Sequence, residues 1–443
     1  MKTYLGYGTG DFGLNIYWNA LSLILVFWYA EVVGLSPDAA GLIYFIGMAW
    51  DAVSDVVIAN LTQRTRTRYG TYRPYLVIGG VILGAAFVLL FWVPPLEGWI
   101  LMVALAMAHI LFRLAYTIVA VPYSALASRL SFDSRERTVL SGTRMAFAFL
   151  GLLAVSGLWF PIVRFFGDGT DESPTGFLVA ALLGGIIATI ALQACFLFTR
   201  ERTLETLHER PADLSFRGFW RAVRANRALQ VLLLAIFLQS GAGASFLIPL
   251  AFYIEAHAAD FARKEAVMTA YAVATLASIP VWTAVIRRFG KRLGWISACW
   301  VVISAGLLLA LLGPVLIGGL PLQILLYGVG FSGFGVLVWA LVPDTVEFGQ
   351  WKSGTRNEGA VFGSVLLSQK TAGGLAGLLV GTVLTAVGYD PDLARQSLET
   401  ADRLELYMFA GPSILLFLSS LVILRLPLNR HIHAKIVEEI QSH

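Results

Sequence analysis

The sequence predicts an all-α membrane protein, with twelve transmembrane helices arranged as two six-helix halves. Three observations carry that prediction. The chain is 57% hydrophobic and only 14% charged, where soluble domains hold about 45–50% apolar and about 25% charged residues. Apolar stretches of bilayer-crossing length recur along all 443 residues. The second half also repeats landmarks of the first.

The predicted spans, in order, are 10–33, 38–61, 74–94, 98–127, 138–165, 175–199, 228–255, 266–286, 293–318, 321–343, 358–388 and 404–427. The first follows the polar start MKTYLGYGTGD and continues at full length, so it reads as a membrane helix and not as a cleavable signal. After the second span comes RTRTRYGTYR, carrying Arg64, Arg66, Arg68 and Arg73. The fourth and fifth are joined through Arg129, Arg135 and Arg137, and the eighth and ninth through Arg287, Arg288, Lys291 and Arg292. Connections on the other side, VPPLEG, FGDGTDESPT and YDPDLARQSLETADR, are acidic or neutral. Basic loops stay in the cytoplasm, which places both termini there and requires an even number of spans.

Residues 201–225 are the one polar stretch long enough to join two halves, 1–200 and 226–428, leaving 429–443 as a cytoplasmic tail. VPYSALASRLSFDSRERTVLSGTRMAF follows the fourth span and LVPDTVEFGQWKSGTRNEGAVFG the tenth. Both contain a proline, Pro122 and Pro343, and then Gly-Thr-Arg. A parallel duplication of this kind describes the major-facilitator arrangement, whose substrate site lies between the halves near mid-membrane. In the tail, Ile432, Ile436, Val437 and Ile440 fall at helical spacing, as on a short amphipathic surface helix.

The chemistry begins with Asp51 and Asp55 inside the apolar segment GLIYFIGMAWDAVSDVVIANL. An Asp at a membrane helix centre costs about 2.5–3.5 kcal/mol, so each needs a partner or a task. At i, i+4 the two carboxylates share one helix face and repel unless something positive lies between them. The reading is a cation site; the alternative is purely structural pairing with a buried Arg or Lys. On the fourth span His109, Arg113, Tyr116, Thr117 and Ala120 form one stripe. Arg113 lies near mid-membrane and either binds substrate or pairs with Asp51 or Asp55. The first span presents Asp11, Asn15, Trp18 and Asn19 as a cavity wall, and Gln369 joins Asn15 and Asn19 as an amide able to bond hydroxyls. Tyr17, Trp18, Tyr116 and Trp339 are candidate stacking surfaces for a sugar face.

Taken together, YGTGDFGLN, WDAVSDVVIANLTQRTRTRYGTYRPYLVIG, YTIVAVPYSALA, DSRERTVLSGTR and VEFGQWKSGTRNEGAVFG followed by Lys370 resemble the glycoside–pentoside–hexuronide:cation symporter family over nearly the whole chain. The resemblance implies alternating-access symport of a sugar-like solute with Na+, H+ or Li+, and no chemical step. It implies cation binding by Asp51, Asp55 and Thr117, with Ser54 where melibiose-type members have an amide ligand. It also implies substrate contacts from Tyr116, Arg144 and Lys370. The two acids that hold galactosyl hydroxyls in melibiose-type members are replaced by Asn15 and Ala120, which argues against a galactoside.

Asp51 and Asp55 then face three cations, Arg113, Arg144 and Lys370, and a bound Na+ would add to the positive surplus. Asp11 could lower it by one if it reaches the cavity; its place at the first turn of the first span puts it near the cytoplasmic edge. A dry cavity with surplus positive charge favours an anion such as a hexuronide or sulfo-sugar, gripped by Arg. Glu136, Arg137, Asp344, Glu347, Arg356 and Glu358 are the expected cytoplasmic gate, pairing across the halves in one state and parting in the other.

A neutral glycoside or pentoside remains open as substrate, and so does a lysolipid, whose animal symporters resemble this family. No HExxH, GxSxG, Walker sequence or Cys–His cluster is present, which argues against an enzyme or an ATP-driven pump. Cys195 and Cys299 both lie in apolar spans. The expected partners are therefore a small solute, a monovalent cation and the bilayer of the cell inner membrane, with no nucleic acid and no cofactor, and the protein is expected to be a monomer.

Overall fold

A computed structural model describes residues 2–63, 65, 67–130, 134–201, 216–257, 261–354, 357–391, 393 and 396–442; within these stretches some side chains, Glu136 and Arg137 among them, lie outside the description. The helices are α1 Lys2–Ala20, α2 Pro37–Gln63, α3 Gly80–Leu90, α4 Gly98–Leu130, α5 Ser134–Phe166, α6 Pro174–Phe198, α7 Phe216–Ala225, α8 Arg227–Leu247, α9 Leu250–Ala256, α10 Lys264–Phe289, α11 Lys291–Leu312, α12 Leu322–Ser353, α13 Glu358–Ala386, α14 Leu398–Ile423 and α15 Arg430–Ser442. Each of the twelve predicted spans corresponds to one rod, with α8 and α9 sharing the seventh. Eight rods are long and apolar enough to cross a membrane by length and hydropathy alone among the described residues.

The first rod begins at Lys2, well before the predicted start at residue 10, and continues past Ala20 through two π-helical turns, Leu21–Leu25 and Trp28–Val32. Its early segment is too polar to read as membrane-buried, yet Gly6, Gly8, Gly10 and Gly13 bring it onto α4, α5 and α6. A Cβ on Gly13 would stand 2.8 Å from the Ala188 carbonyl oxygen of α6. Another π turn, Tyr75–Gly79, leads into α3. The ninth rod stops at Leu312, short of the predicted residue 318. Leu316–Ile317 and Leu320–Pro321 then form a two-stranded hairpin, turned by Gly318 and Gly319 at φ 60° and 79°, values that glycine adopts without steric cost.

α1 to α6 pack as one bundle, and α8 to α14 as the other. The halves meet along two seams, α2 against α13 and α5 against α10. Small residues set the first: a Cβ on Gly41 would lie 2.7 Å from the Gly377 carbonyl oxygen and 3.0 Å from the Gly381 Cα. Gly41→Val should therefore push the halves apart there, at an overpacking cost of about 1–3 kcal/mol. Gly359, with nothing within 4 Å of its Cβ position, should accept Val silently. Thermal unfolding of the two purified variants checks this.

Candidate functional site

Asp51 and Asp55 lie on the face of α2 that looks onto α4 and α13. The Thr117 hydroxyl on α4 bridges them, 2.8 Å from Asp51 Oδ1 and 3.1 Å from Asp55 Oδ1. Ser54 Oγ is 3.3 Å from Thr117 Oγ1. The four residues expected to hold a cation thus share one cluster, and α13 adds a fifth group. The Lys370 ammonium bonds Asp55 Oδ2 and stands 3.1 Å from Asp51 Oδ2. Arg113 Nη1 reaches the same Asp51 oxygen at 3.4 Å. Side-chain exposure is 0% for Asp51, 2% for Arg113 and 10% for Lys370, but 18% for Asp55. Two fixed cations therefore compensate two carboxylates in a dry setting.

Arg113 is aimed from behind. Its Nε donates to His109 Nε2 at 3.2 Å, which leaves Nδ1 of that ring to donate to the Ile43 carbonyl at 3.2 Å. The guanidinium also lies 5.8 Å from the Trp18 ring centre, and Trp18 is 6.3 Å from the Tyr116 ring. Of the two alternatives open for Arg113, pairing with Asp51 is the one observed.

A second dyad lies nearer the end of the bundle that carries the termini. Arg144 Nε donates to Asp11 Oδ1 at 2.9 Å, above the stacked rings of Tyr7 and Tyr123, whose centres are 4.7 Å apart. Asp11 is buried at mid-helix in α1 and not at a first turn. It adds a third carboxylate, so the positive surplus counted without it is absent in this conformation: Asp11, Asp51 and Asp55 balance Arg113, Arg144 and Lys370.

Other candidates fall less centrally. Asn15 and Asn19 donate to the carbonyls of Asp11 and Asn15 on their own helix, at 2.9 and 2.7 Å, and the Asn15 Cβ faces Gly151 of α5. Tyr17 is core, its hydroxyl donating to the Gly185 carbonyl. Trp339 is exposed and stacks on Phe362. Gln369 is half-buried beside Lys370 in sequence, but about 100° round the helix from it.

In this conformation the expected gate acids are paired away from the first half. Asp344 takes two bonds from Lys291 Nζ, at 2.8 and 2.7 Å, and Glu347 pairs with His433 of α15 at 2.5 Å. Both stay within the second half, Asp344 held by the first residue of α11 and Glu347 by the tail helix. Glu358 opens α13 at an exposed position. Arg356 and the side chains of Glu136 and Arg137 lie outside the described residues.

Sequence reasoning missed the seal at the opposite end, where the acidic loops are. Arg164 bridges Asp171 at 2.5 Å and Glu265 at 2.6 Å, crossing from one half to the other. Lys264 crosses back to Asp171 at 3.4 Å, pairs with Glu255, and sits 4.6 and 5.1 Å from the rings of Phe27 and Phe160. The available signal was that Arg164 and Lys264 are basic residues on the side otherwise poor in them. The halves are thus joined at this end and at the Asp55–Lys370 level, while nearer the termini the Arg144 side chain is 37% exposed.

Comparison with known proteins agrees with this architecture. The model of a family described as MFS/sugar transport protein matches residues 6–430. The Escherichia coli (strain K12) protein named "Putative glycoside/cation symporter YagG" is 28% identical, over 94% of this chain and 89% of its own. The Salmonella typhimurium (strain LT2) protein named "Putative sulfoquinovose importer" is 28% identical, over 99% of this chain and 92% of its own. A bacterial homologue of the human lysosomal transporter Spinster, solved inward-facing and unoccupied, superposes with a TM-score of 0.67 over 97% of this chain and 98% of that one; at 12% identity it shows the fold alone. With the family match running from α1 through α14, this chain belongs to the MFS/sugar transport proteins of the glycoside–pentoside–hexuronide:cation symporter type, membrane transporters and not enzymes.

Proposed function

We propose that this protein is a cation-coupled symporter of sugars or sugar derivatives, with anionic sugars, uronides or sugar sulfonates, as its preferred class. The observation that carries the proposal is the Lys370 ammonium seated on both Asp51 and Asp55. A monovalent cation, Na+ or H+, arriving at those carboxylates competes with it. The displaced ammonium then presents an uncompensated charge to the cavity, which a carboxylate or sulfonate neutralises. Cation and anion each ease the other's binding, and that reciprocity is the coupling. Arg113 stays with Asp51, so it serves the cation site more than the substrate.

Arg144, released in part from Asp11, is the second anion contact, and Trp18 with Tyr116 offers rings for the apolar sugar face. The relative named for sulfoquinovose import fits this class, since a sugar sulfonate is an anion. The positive-inside rule favours basic loops and both termini in the cytoplasm; with the halves joined at the opposite end, the reading is an inward-open conformation with the Arg164–Glu265 pair as its outer gate. The division into 1–200 and 226–428, joined by 201–225, is the rocking pair.

Reconstituted vesicles test the reading: a glucuronide should accumulate under an inward Na+ or H+ gradient well above its uncharged glycoside. Uptake blind to both gradients would overturn cation coupling, and equal uptake of the charged and neutral sugars would overturn the anion preference. Reporter fusions after Gly70 and Lys291 should read cytoplasmic, and a fusion after Asp171 should read external.

A further inference from the structure

We propose that α7 is a headgroup site for anionic phospholipid. A single residue, Asn226, separates this helix from the start of α8 at Arg227, so it lies where the seventh span meets water, on the face that carries the termini. One side of it is committed to the second half. Val223 is buried, and Phe219 lies against Gly363 of α13, whose Cβ would meet the Phe219 ring at 3.5 Å. Asn226 accepts from Leu229 N at 2.9 Å and donates to the Thr345 carbonyl of α12 at 2.7 Å. The helix is therefore held in a fixed orientation.

With that side occupied, the opposite stripe faces outward. It holds Trp220, Arg221 and Arg224, and Arg227 continues it at the start of α8; all four are exposed. None of the three arginines has an acidic partner among the described residues. Arginines near a helix end often bond its last carbonyls. Here Gln230 Nε2 takes that place, donating to the carbonyls of Val223 at 3.1 Å and Arg224 at 2.7 Å, so the guanidinium groups remain available.

A lipid phosphate fits this stripe in three ways. Guanidinium forks match phosphate oxygens with paired bonds. Tryptophan favours the headgroup depth that α7 occupies. Each Arg near an anionic leaflet strengthens binding about fivefold, so three act together by about a hundredfold. Free phosphate meets the same arginines without acyl chains to hold it at that depth, and is the weaker occupant. Because α7 is bonded to α12 and packed on α13, a lipid bound here anchors the second half alone.

Native mass spectrometry of the full-length protein in detergent tests this, with phosphatidylglycerol or phosphatidylcholine added at equal amounts and inorganic phosphate as competitor. The wild type should retain phosphatidylglycerol in preference to phosphatidylcholine. The triple variant Arg221→Gln/Arg224→Gln/Arg227→Gln should need about a hundredfold more phosphatidylglycerol for the same retention, while its melting temperature in phosphatidylcholine stays that of the wild type. The corresponding Arg→Lys triple variant should recover most of the retention. Equal phosphatidylglycerol retention by wild type and the Gln variant would overturn the proposal. So would equal retention of the two lipids by the wild type, or displacement of the lipid by inorganic phosphate at equal concentration, which would mark a free-anion site.

Discussion

Asp55→Asn should reach the membrane, fold, and carry substrate only down its own gradient. Asp51 would keep Arg113 and Lys370 as partners, so neither cation loses every acidic partner, but the ammonium no longer has a second carboxylate from which a cation can displace it. Asp51→Asn should abolish accumulation as well and add a fault of stability. Arg113, only 2% exposed, would lose its carboxylate, and stranding one member of a buried pair costs about 3–5 kcal/mol. Accumulation ratios in vesicles and melting temperatures of the purified variants separate the two effects. If both variants concentrate substrate as the wild type does, the carboxylates do not couple transport.

Lys370→Gln and Arg144→Gln should each weaken binding of an anionic sugar by about tenfold to a hundredfold, the worth of one charge-assisted bond of about 1.5–3 kcal/mol. The uncharged analogue should lose far less. Arg144→Gln alone leaves Asp11 buried without its partner, so part of its effect would be structural. The double variant Arg144→Gln/Asp11→Asn removes both charges and should recover stability without recovering anion affinity. Calorimetric titration of a matched charged and neutral pair reads the difference. A double variant that binds the anion as tightly as the wild type would remove Arg144 from the substrate contacts.

Every predicted span could be placed because membrane helices announce themselves by long apolar runs. Their ends could not. α1 starts at Lys2 because glycines let a polar segment pack closely onto its neighbours, a property that hydropathy does not register. The Asp51–Asp55 cluster was legible in part: the two carboxylates lie at i, i+4, and Thr117 entered as their companion through resemblance. What Arg113 pairs with depends on how α2 and α4 are set against each other, which spacing on one helix does not contain. The same holds for Asp344 and Glu347, whose partners Lys291 and His433 are distant in sequence but close in the same half. The outer seal escaped for another reason. Arg164 and Lys264 stand near helix ends, and there a charge facing solvent and a charge bridging two bundles have the same local sequence.

The even balance of Asp11, Asp51 and Asp55 against Arg113, Arg144 and Lys370 bears on how voltage acts. Moving one elementary charge across the membrane is worth about 2.3 kcal/mol per 100 mV. An empty carrier whose intramembrane charges cancel is not pulled by that field as it resets. Loaded with a single cation and a monoanion, it is again neutral, so the whole cycle runs without electrical work. Loaded with a cation and an uncharged sugar, it becomes a current carrier, and the membrane potential then drives the loaded step alone.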